Sequence, residues 1–298
     1  MKIAVVDIGS NTIKMKIYNY SGEKLNELYS EVKNTKLISY IKDGILSEEG
    51  ISLLCQAIFD LKQSAKNENA DSFSCFATAS LRRTKNIEII RQKVFEYCQE
   101  TIDLVSGNTE AEFSFSGIKN TMDDFFDNGI MLDMGGGSTE IVSFENKRML
   151  SSYSMNFGSL SLYLDYAEQG FDSMKAYAVN CLKQCPFYPV KTKNVILVGG
   201  TALAINKLYT YFYNNALKYE MDCDKLEYMY EILKIYDDST LAILKKYVPD
   251  RTTTVIPGLS AFLAIFKECG IEKIKVSTAG IREGYVYEKI LKETDILL

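Results

Sequence analysis

The spacing of apolar residues changes along the N-terminal part of the chain, and this change predicts the order of its strands and helices. The segments MKIAVVDIG and TIKMKIYNY have the apolar runs and period-two alternation of β-strands. A tight turn at Ser10 and Asn11 joins them as a hairpin, and GEKLNELYSEVKNTKLI continues the sheet. Helical spacing begins after Ser47, which is placed as an N-cap, and returns in NIEIIRQKVFEYCQETI.

A second segment repeats the form of the first hairpin. IMLDMGGGSTEIV contains a strand, an aspartate, a glycine turn and a second strand, in the same order as the N-terminus. The paired residues are Asp7 with Asp133, Gly9 with Gly135, and Thr12 with Ser138 or Thr139. The repetition predicts two domains related by duplication.

The rest of the chain completes an α/β pattern. VILVGGTALAI is a strand that enters a glycine turn, a long helical stretch is predicted from about Asp222 to Tyr247, and KIKVSTAGIREGYVYEKILKE is a strand, turn and helix. Strands alternating with helices predict sheets that carry helices on their faces. We expect an N-terminal domain at 1–124 and a C-terminal domain at 125–298, facing each other across a cleft with a short hinge.

Composition narrows the possible chemistry. The chain of 298 residues contains no histidine, which excludes a Ser-His-Asp triad, an HExxH zinc site and a histidine general base. Acid–base chemistry therefore falls to carboxylates first, with lysine, tyrosine or cysteine as alternatives, and a metal held by carboxylates and hydroxyls would be a hard ion such as Mg²⁺ or Mn²⁺. The net charge of −5 argues against a nucleic-acid partner held by long-range attraction.

Location and redox state follow from the same inspection. No apolar segment approaches a membrane span, and Asp7 interrupts the N-terminus too early for a signal peptide. We therefore expect a cytoplasmic protein without a membrane partner. The seven cysteines are scattered and odd in number, which indicates reduced core residues rather than a disulfide framework.

The two glycine turns are suited to binding anions. Glycines let backbone N–H groups approach a ligand closely, and the hydroxyls in GSNT and GGGST add donors. The aspartate before each turn would repel phosphate unless a cation lies between them, so the pattern suggests a phosphate bridged by Mg²⁺. Neither turn has the spacing of a Walker A loop, and VGGTALA lacks that of a dinucleotide fingerprint.

Charged residues elsewhere match this interpretation. ATASLRRTKN supplies Arg82, Arg83 and Lys85 between a strand and a helix, and arginine can hold phosphate oxygens in a bidentate fork. SGNTEAEFSFSG places Glu110 after a strand and turn, with Glu112 facing elsewhere. In a chain without histidine, a carboxylate near a bound phosphate is the natural group to activate water. Each signal is weak when taken alone.

Seven segments in order resemble the exopolyphosphatase/guanosine pentaphosphate phosphatase (Ppx/GppA) family. They are VVDIGSNTIKMKI, ATASLRRTKN, VSGNTEAEF, MLDMGGGSTEIV, VILVGGTALAI, VIPGL and STAGIREGYVYEKI. The resemblance is to the short form, without the HD-type domain of longer relatives. It implies two RNase H-like domains of the actin, heat-shock chaperone and sugar kinase superfamily flanking an active-site cleft, with the last helix able to return to the first domain.

The resemblance also implies roles for individual residues. Glu110 falls on the catalytic glutamate, Arg82 would offset charge on the transferred phosphate, and Asn86 closes the arginine motif. Asp133 and Glu140 match acidic positions linked to catalysis and metal, and Asp7 is a third expected metal ligand. The positions that match the phosphate loops are Ser10, Asn11, Thr12, Gly135, Gly136, Gly137, Ser138 and Thr139. Departures at Thr109, often glutamate in relatives, and Glu112 leave the catalytic position intact.

The expected reaction is Mg²⁺-assisted hydrolysis of the terminal phosphate of inorganic polyphosphate. Few basic residues are visible for holding a long polymer, so short polyphosphate is the first choice and guanosine pentaphosphate the alternative. A kinase of the same superfamily, and a silent nucleotide sensor or actin-like assembly protein, are the rivals. A homodimer is considered as the quaternary state.

Overall fold

The computed structural model describes residues 1–22, 24–214 and 219–292. Its internal contacts divide the chain into two compact units. The first unit contains Met1–Thr121 and the chain from Ile281 onward, and the second unit contains Met122–Gly280. The first junction therefore lies at 121/122, whereas the sequence placed it at 124/125, and the last helical segment belongs to the first unit.

The first unit is built on a five-stranded sheet in the order β3-β2-β1-β6-β7. The pairs β1–β2 and β2–β3 are antiparallel, and β1–β6 and β6–β7 are parallel. A separate short hairpin joins β4 and β5. The strands are β1 (Lys2–Ile8), β2 (Thr12–Tyr20), β3 (Leu25–Asn34), β4 (Ile41–Lys42), β5 (Ile45–Leu46), β6 (Ser72–Ala77) and β7 (Ile102–Leu104).

Helices cover both faces of this sheet because its central strand is apolar on both sides. Ala4 and Val6 of β1 enter a core that includes buried residues of α1 and α3, whereas Ile3 and Val5 enter a second core with Tyr285. Alternate strand residues point to opposite faces, so a continuous apolar strand needs cover on each. The helices are α1 (Glu48–Asn67), α2 (Ala79–Arg82), α3 (Ile87–Cys98), α4 (Gly107–Thr121) and α11 (Ile281–Tyr285).

The second unit is built on a six-stranded sheet in the order β10-β9-β8-β11-β13-β12. Its strands are β8 (Asn128–Met134), β9 (Thr139–Glu145), β10 (Arg148–Met155), β11 (Asn194–Val198), β12 (Glu220–Asp222) and β13 (Lys273–Val276). Its helices are α5 (Ser159–Tyr166), α6 (Phe171–Lys183), α7 (Gly199–Tyr213), α8 (Cys223–Leu233), α9 (Asp238–Tyr247) and α10 (Val255–Cys269).

The two sheets share one topology. In each, an antiparallel three-stranded meander is followed by two strands that are parallel to its first strand. The order β10-β9-β8-β11-β13 thus repeats β3-β2-β1-β6-β7, and β12 is an antiparallel addition at one edge. The repeated order supports the duplication inferred from the two aspartate–glycine turns.

The helical stretch expected from about Asp222 to Tyr247 is divided into two helices in the structure. The chain forms two helices there, α8 and α9, because Tyr236 adopts a left-handed backbone conformation with φ of 56°. The Asp237 side chain then accepts the N–H of Thr240 and starts a new helix as its N-cap. Asp222 caps α8 in the same way through Lys225.

The cysteines and the helices agree with the expectations from composition. All seven cysteines are unpaired thiols, and all except the half-buried Cys223 are buried. Burial raises the pKa of the Cys269 thiol, and that of the Cys98 thiol, to about 11, which keeps them protonated near neutral pH. Within the described residues, the helices lack the combination of length and apolar character needed to cross a membrane.

Replacement of Ser47 by alanine is expected to lower the free energy of unfolding by about 1 kcal/mol. The Ser47 hydroxyl accepts the N–H of Gly50 at 3.2 Å and so satisfies one donor at the start of α1. Denaturant unfolding of the variant would measure the loss. Ser52→Ala, the same substitution at an exposed position within α1, is the control, and an equal loss there would contradict the capping role.

Candidate functional site

The first loop predicted to bind phosphate is a tight hairpin connection between β1 and β2. Asp7 stands directly opposite Lys14 in the strand pairing. The turn is closed by the N–H of Gly9, which donates to the carbonyl of Thr12 at 3.1 Å. Opposed residues of an antiparallel pair project from the same face of the sheet, so the carboxylate and the ammonium group lie side by side.

The second loop predicted to bind phosphate has the same construction with a different charge. Asp133 stands opposite Glu140, and the N–H of Gly135 donates to the carbonyl of Ser138 at 3.0 Å. This closing bond corresponds to the one at Thr12, so Ser138, rather than its neighbour, is the partner of Thr12 in the duplication. The hairpins differ chemically because the residue facing the aspartate is a lysine in the first and a glutamate in the second.

The peptide groups of the first loop are oriented by hydrogen bonds to their carbonyls. The carbonyl of Ser10 accepts the N–H of Ile38 at 3.1 Å, and that of Asn11 accepts the N–H of Lys36 at 2.8 Å. In a planar trans peptide the C=O and the following N–H point in opposite directions. The N–H groups of Asn11 and Thr12 are therefore directed away from the 36–38 segment, as a nest for an anion requires.

The peptide groups of the second loop are oriented in the same way by α5. The carbonyl of Gly135 accepts the N–H of residue 159, and the carbonyl of Gly136 accepts those of residues 160 and 161, each at 3.0 Å. The start of α5 thus obtains acceptors for its N–H groups. By the same peptide geometry, the N–H groups of Gly136 and Gly137 point away from α5.

Gly158→Ala is expected to disturb the second loop more than the overall fold. A Cβ at position 158 would lie 2.6 Å from the carbonyl oxygens of both Gly135 and Gly136, where only backbone can give way. We expect phosphate affinity to fall by roughly tenfold or more, since the loop peptides lose their orientation. Product inhibition by phosphate would measure this, with Glu168→Ala, at an exposed position after α5, as the control. Equal inhibition of both variants would contradict the prediction.

Two side chains of the second loop are buried. The hydroxyl of Thr139 donates to the carbonyl of Phe157 at 2.7 Å, so this side chain fastens the loop to the chain before α5. Ser138 is only 2% exposed. The second loop therefore offers mainly backbone donors, in agreement with its three consecutive glycines.

Glu110 lies in the first turn of α4, where the helix dipole favours a carboxylate. The Ser106 hydroxyl accepts the N–H of Thr109 at 3.1 Å and caps this helix. Nη1 of Arg82 donates both to Oε2 of Glu110, at 3.0 Å, and to the carbonyl of Val105, at 2.7 Å. Glu110 is 9% exposed, so a buried carboxylate is fixed by an arginine that is itself anchored to backbone.

The neighbouring charged residues separate into structural and exposed groups. Arg83, Lys85 and Glu112 are exposed. In the pairs Arg82 with Arg83 and Glu110 with Glu112, one residue of each was expected to face solvent. Asn86 is structural, because its amide accepts the N–H of Leu46 at 3.0 Å and donates to the carbonyl of the same residue at 2.9 Å. The arginine motif thereby fixes the short β4–β5 hairpin to the start of α3.

Asp7, expected as a metal ligand, has a cationic side chain beside it. Nη1 of Arg282 lies 3.3 Å from Oδ2 of Asp7. Burial raises the pKa of Asp7, while Arg282 and Lys14 lower it and Glu283 raises it; the net direction is upward. The sequence did not identify Arg282 as a site residue.

The carboxylates of the second loop provide the donor set for a hard cation. Oε1 of Glu140 accepts the hydroxyl of Ser154 at 2.8 Å, and Oδ1 of Asp133 lies against the turn at Gly199, 2.6 Å from where a Cβ would stand. Within the described residues no group of three or more acidic, cysteine or histidine side chains is arranged to hold a metal. Mg²⁺ usually takes only one or two carboxylates and completes its shell with water and phosphate, so this pair fits it.

A half-buried guanidinium lies near the second loop. Arg251 forms no ion pair with any carboxylate among the described residues, and burial lowers its pKa. Its Nη1 donates to the hydroxyl of Thr201 at 3.3 Å, which bonds in turn to the Ser159 hydroxyl at 3.1 Å and so towards the carbonyl of Gly135. Its Cζ would be 2.9 Å from a Cβ at Gly200, so glycine is required for this approach.

A known family has this combination of elements. A model described as the Ppx/GppA phosphatase family matches residues 16–293, which is nearly the whole chain. The chain belongs to the Ppx/GppA phosphatase family.

Relatives within the Ppx/GppA family have different names. A Haemophilus influenzae protein described as a candidate exopolyphosphatase is 26% identical, covering 99% of this chain and 94% of its own. A guanosine-5'-triphosphate,3'-diphosphate pyrophosphatase of Pseudoalteromonas translucida is 23% identical over 98% of this chain, which spans only 60% of that protein. The Aquifex aeolicus family member superposes with a TM-score of 0.82 at 20% identity over 98% of both chains, which confirms the predicted RNase H-like, actin-like fold.

Sequence reasoning missed two arginines of this Ppx/GppA chain. Arg251 stands just before α10, a helix that is almost entirely buried, and a cation beside so apolar a segment is the signal that could have drawn attention to it. Arg282 lies inside the quoted segment STAGIREGYVYEKI, yet only the fold brings it to Asp7.

Proposed function

We propose that this protein hydrolyses the terminal phosphate of a linear phosphoanhydride, with water activated by Glu110. The observation that carries the proposal is the buried Glu110 carboxylate held by Arg82 at 3.0 Å. A general base must be fixed within reach of its proton, and in a chain without histidine a positioned glutamate is the best equipped side chain.

Arg82 serves this base as a positioning residue in the proposal. The guanidinium has five donors, and one nitrogen, Nη1, serves both Glu110 and the carbonyl of Val105. The remaining donors can meet a phosphate oxygen, which is the role that the family resemblance implies. Arg82 thus orients Glu110 and offsets negative charge on the phosphate at the same time.

Phosphates are bound by the two loops in the proposal. The first loop contributes Ser10, Asn11 and Thr12, and the second contributes Gly135 to Gly137 with Ser138 and Thr139, chiefly through peptide N–H groups. Asp133 and Glu140 would hold Mg²⁺ or Mn²⁺. When bound, such an ion neutralises charge on phosphate oxygens and acts as a Lewis acid.

Arg251 is proposed as an additional phosphate anchor, so Arg251→Gln is expected to raise KM. A charge-assisted hydrogen bond contributes about 1.5–3 kcal/mol, which corresponds to roughly 10–100-fold in affinity. Steady-state phosphate release would show a raised KM with a smaller change in kcat. Arg148→Gln, at an exposed arginine of the same unit, is the control, and equal KM values for the two variants would contradict the assignment.

Short inorganic polyphosphate is the first choice of substrate, and guanosine pentaphosphate is the alternative. The protein has a net charge of −5, so a long polyanion would meet general repulsion outside the few local cations. Of the alternating tyrosines Tyr209, Tyr211 and Tyr213, which could stack on a base, Tyr209 is buried in the core and its hydroxyl accepts the N–H of Asp222 at 3.1 Å, whereas Tyr211 is exposed. The names of the relatives include both activities. The unpaired cysteines support a reducing, cytoplasmic setting.

The test is phosphate release with Mg²⁺ from short polyphosphate, long polyphosphate and guanosine pentaphosphate in parallel. We expect the highest kcat/KM with the short polymer. Cleavage of the nucleotide alone would leave the hydrolytic mechanism standing and overturn the substrate choice. Phosphate release only in the presence of an acceptor would favour the kinase, and tight binding without turnover would favour the sensor.

A further inference from the structure

The first loop carries its own cations. Asp7 is accompanied by Arg282, 3.3 Å away, and by Lys14, which faces it across the hairpin. These three groups carry one positive charge in total, and Glu283, the residue after Arg282, adds one negative charge nearby. At the equivalent place in the second loop, Asp133 and Glu140 carry two negative charges. The duplicated hairpins have therefore diverged in electrostatics while keeping the same backbone.

Glu283, the acidic neighbour of Arg282, also has partners on β2. Oε1 of Glu283 accepts the ammonium of Lys16 at 2.9 Å and the hydroxyl of Tyr18 at 2.6 Å, and Lys16 also pairs with Glu27 at 2.8 Å. These bonds join the return segment of the chain to the middle of β2. Arg282 is thereby held at Asp7 by its neighbour, with its side chain only 17% exposed.

One donor of Arg282 has no acceptor. Its Nε is buried and lacks a hydrogen-bond partner in the structure. A buried polar group without a partner costs free energy, so native proteins normally supply one from the chain, from water or from a ligand. Guanidinium donors have a fork geometry that suits the oxygens of phosphate.

We propose that Arg282 is the cation that lies between Asp7 and a substrate phosphate at the first loop, in the place where a metal ion was expected. Asp7 then acts as a positioning residue that orients the guanidinium, and the ligand is a phosphate or phosphoanhydride oxygen. The inference rests on the proposed function and gives each loop a different way of binding phosphate. The first binds phosphate through protein cations, and the second does so through a metal held by Asp133 and Glu140.

The test compares wild type, Arg282→Gln, Arg282→Lys, Asp7→Asn and the exposed-arginine control Arg148→Gln. Inorganic phosphate is the probe, and its dissociation constant is measured by calorimetry. Arg282→Gln is expected to weaken phosphate binding about 10–100-fold, because a charge-assisted hydrogen bond is lost. Arg282→Lys should restore part of the loss, since the charge remains but the fork does not.

Binding of Mn²⁺, followed by electron paramagnetic resonance, supplies a readout that does not depend on turnover. Asp7→Asn and both Arg282 variants should bind Mn²⁺ as wild type does. Loss of Mn²⁺ binding in Asp7→Asn would overturn the proposal, because Asp7 would then be a metal ligand. Unchanged phosphate affinity in Arg282→Gln would overturn it as well.

Folding defects are separated from binding defects by the lysine variant. If Arg282→Gln does not fold, Arg282→Lys is the deciding variant. A wild-type melting temperature with phosphate affinity reduced at least threefold supports the proposal, and unchanged affinity refutes it. Phosphate binding does not require hydrolysis. A wild type that binds phosphate through Arg282 but cleaves none of the substrates would refute the proposed function and leave this inference standing.

Discussion

Glu110→Gln lowers the rate of phosphate release by about 10²–10⁴ if Glu110 is the general base, the range expected for a positioned proton acceptor. The amide keeps the shape of the carboxylate and can still accept a hydrogen bond from Arg82, whose Nη1 lies 3.0 Å from Oε2 of Glu110. The amide cannot, however, take a proton from water. The loss should therefore appear in kcat, with KM changed little. Initial rates with short polyphosphate and saturating Mg²⁺ would measure both.

Glu112→Gln is the matched control, because it makes the same change two residues along the same helix at an exposed position. It should retain nearly the full rate. If Glu110→Gln also retains more than about a tenth of the wild-type rate, general-base catalysis by this residue is excluded. A rise in KM without a fall in kcat would instead make Glu110 a binding residue.

Arg82 provides a second check on the same base. Arg82→Gln removes the guanidinium that fixes Glu110 to the carbonyl of Val105, so it should lower kcat by itself. In the Glu110→Gln background the same change should add less, because groups that act as a unit give non-additive effects. Full additivity would separate the two residues and leave Arg82 with a role in phosphate binding alone.

The loops were predictable because all their determinants are local. An aspartate at the end of an apolar strand, a glycine turn and a returning strand lie within a few residues of each other, and antiparallel pairing between neighbouring strands follows directly. The repetition of this pattern then indicated the duplicated topology. The two loops have equal lengths, so the residues that face the aspartates, Lys14 and Glu140, could also have been predicted. That pairing was missed.

The arginine partners could not be predicted in this way because they depend on long-range folding. Arg282 and Asp7 are 275 residues apart in sequence, and their contact requires the chain to return to the first unit at Ile281. Arg251 reaches Thr201 across 50 residues. The break between α8 and α9 is a different case, since its determinant is local. The capping residue Asp237 lies in the sequence directly before α9 and could have indicated a new helix start.

Asp133→Asn and Glu140→Gln are each expected to weaken Mn²⁺ or Mg²⁺ binding by at least roughly 100-fold, and to lower hydrolysis with it. Hard cations need anionic oxygen ligands, and neighbouring positions 133 and 140 supply two on one face of the second sheet. Paramagnetic resonance of Mn²⁺ would measure affinity directly, and activity against Mg²⁺ concentration would show whether excess metal restores the rate.

Ser154→Ala is expected to weaken metal binding by an intermediate amount. The Ser154 hydroxyl only orients Glu140, to which it donates at 2.8 Å. Loss of such a supporting contact typically costs about 10–100-fold in metal affinity or activity, so this variant should fall between wild type and the two carboxylate variants. Equal Mn²⁺ affinity in wild type, Asp133→Asn and Glu140→Gln would show that the metal does not bind at the second loop. In that case the charge difference between the hairpins would need another explanation, since two adjacent carboxylates without a cation repel each other and any phosphate that approaches.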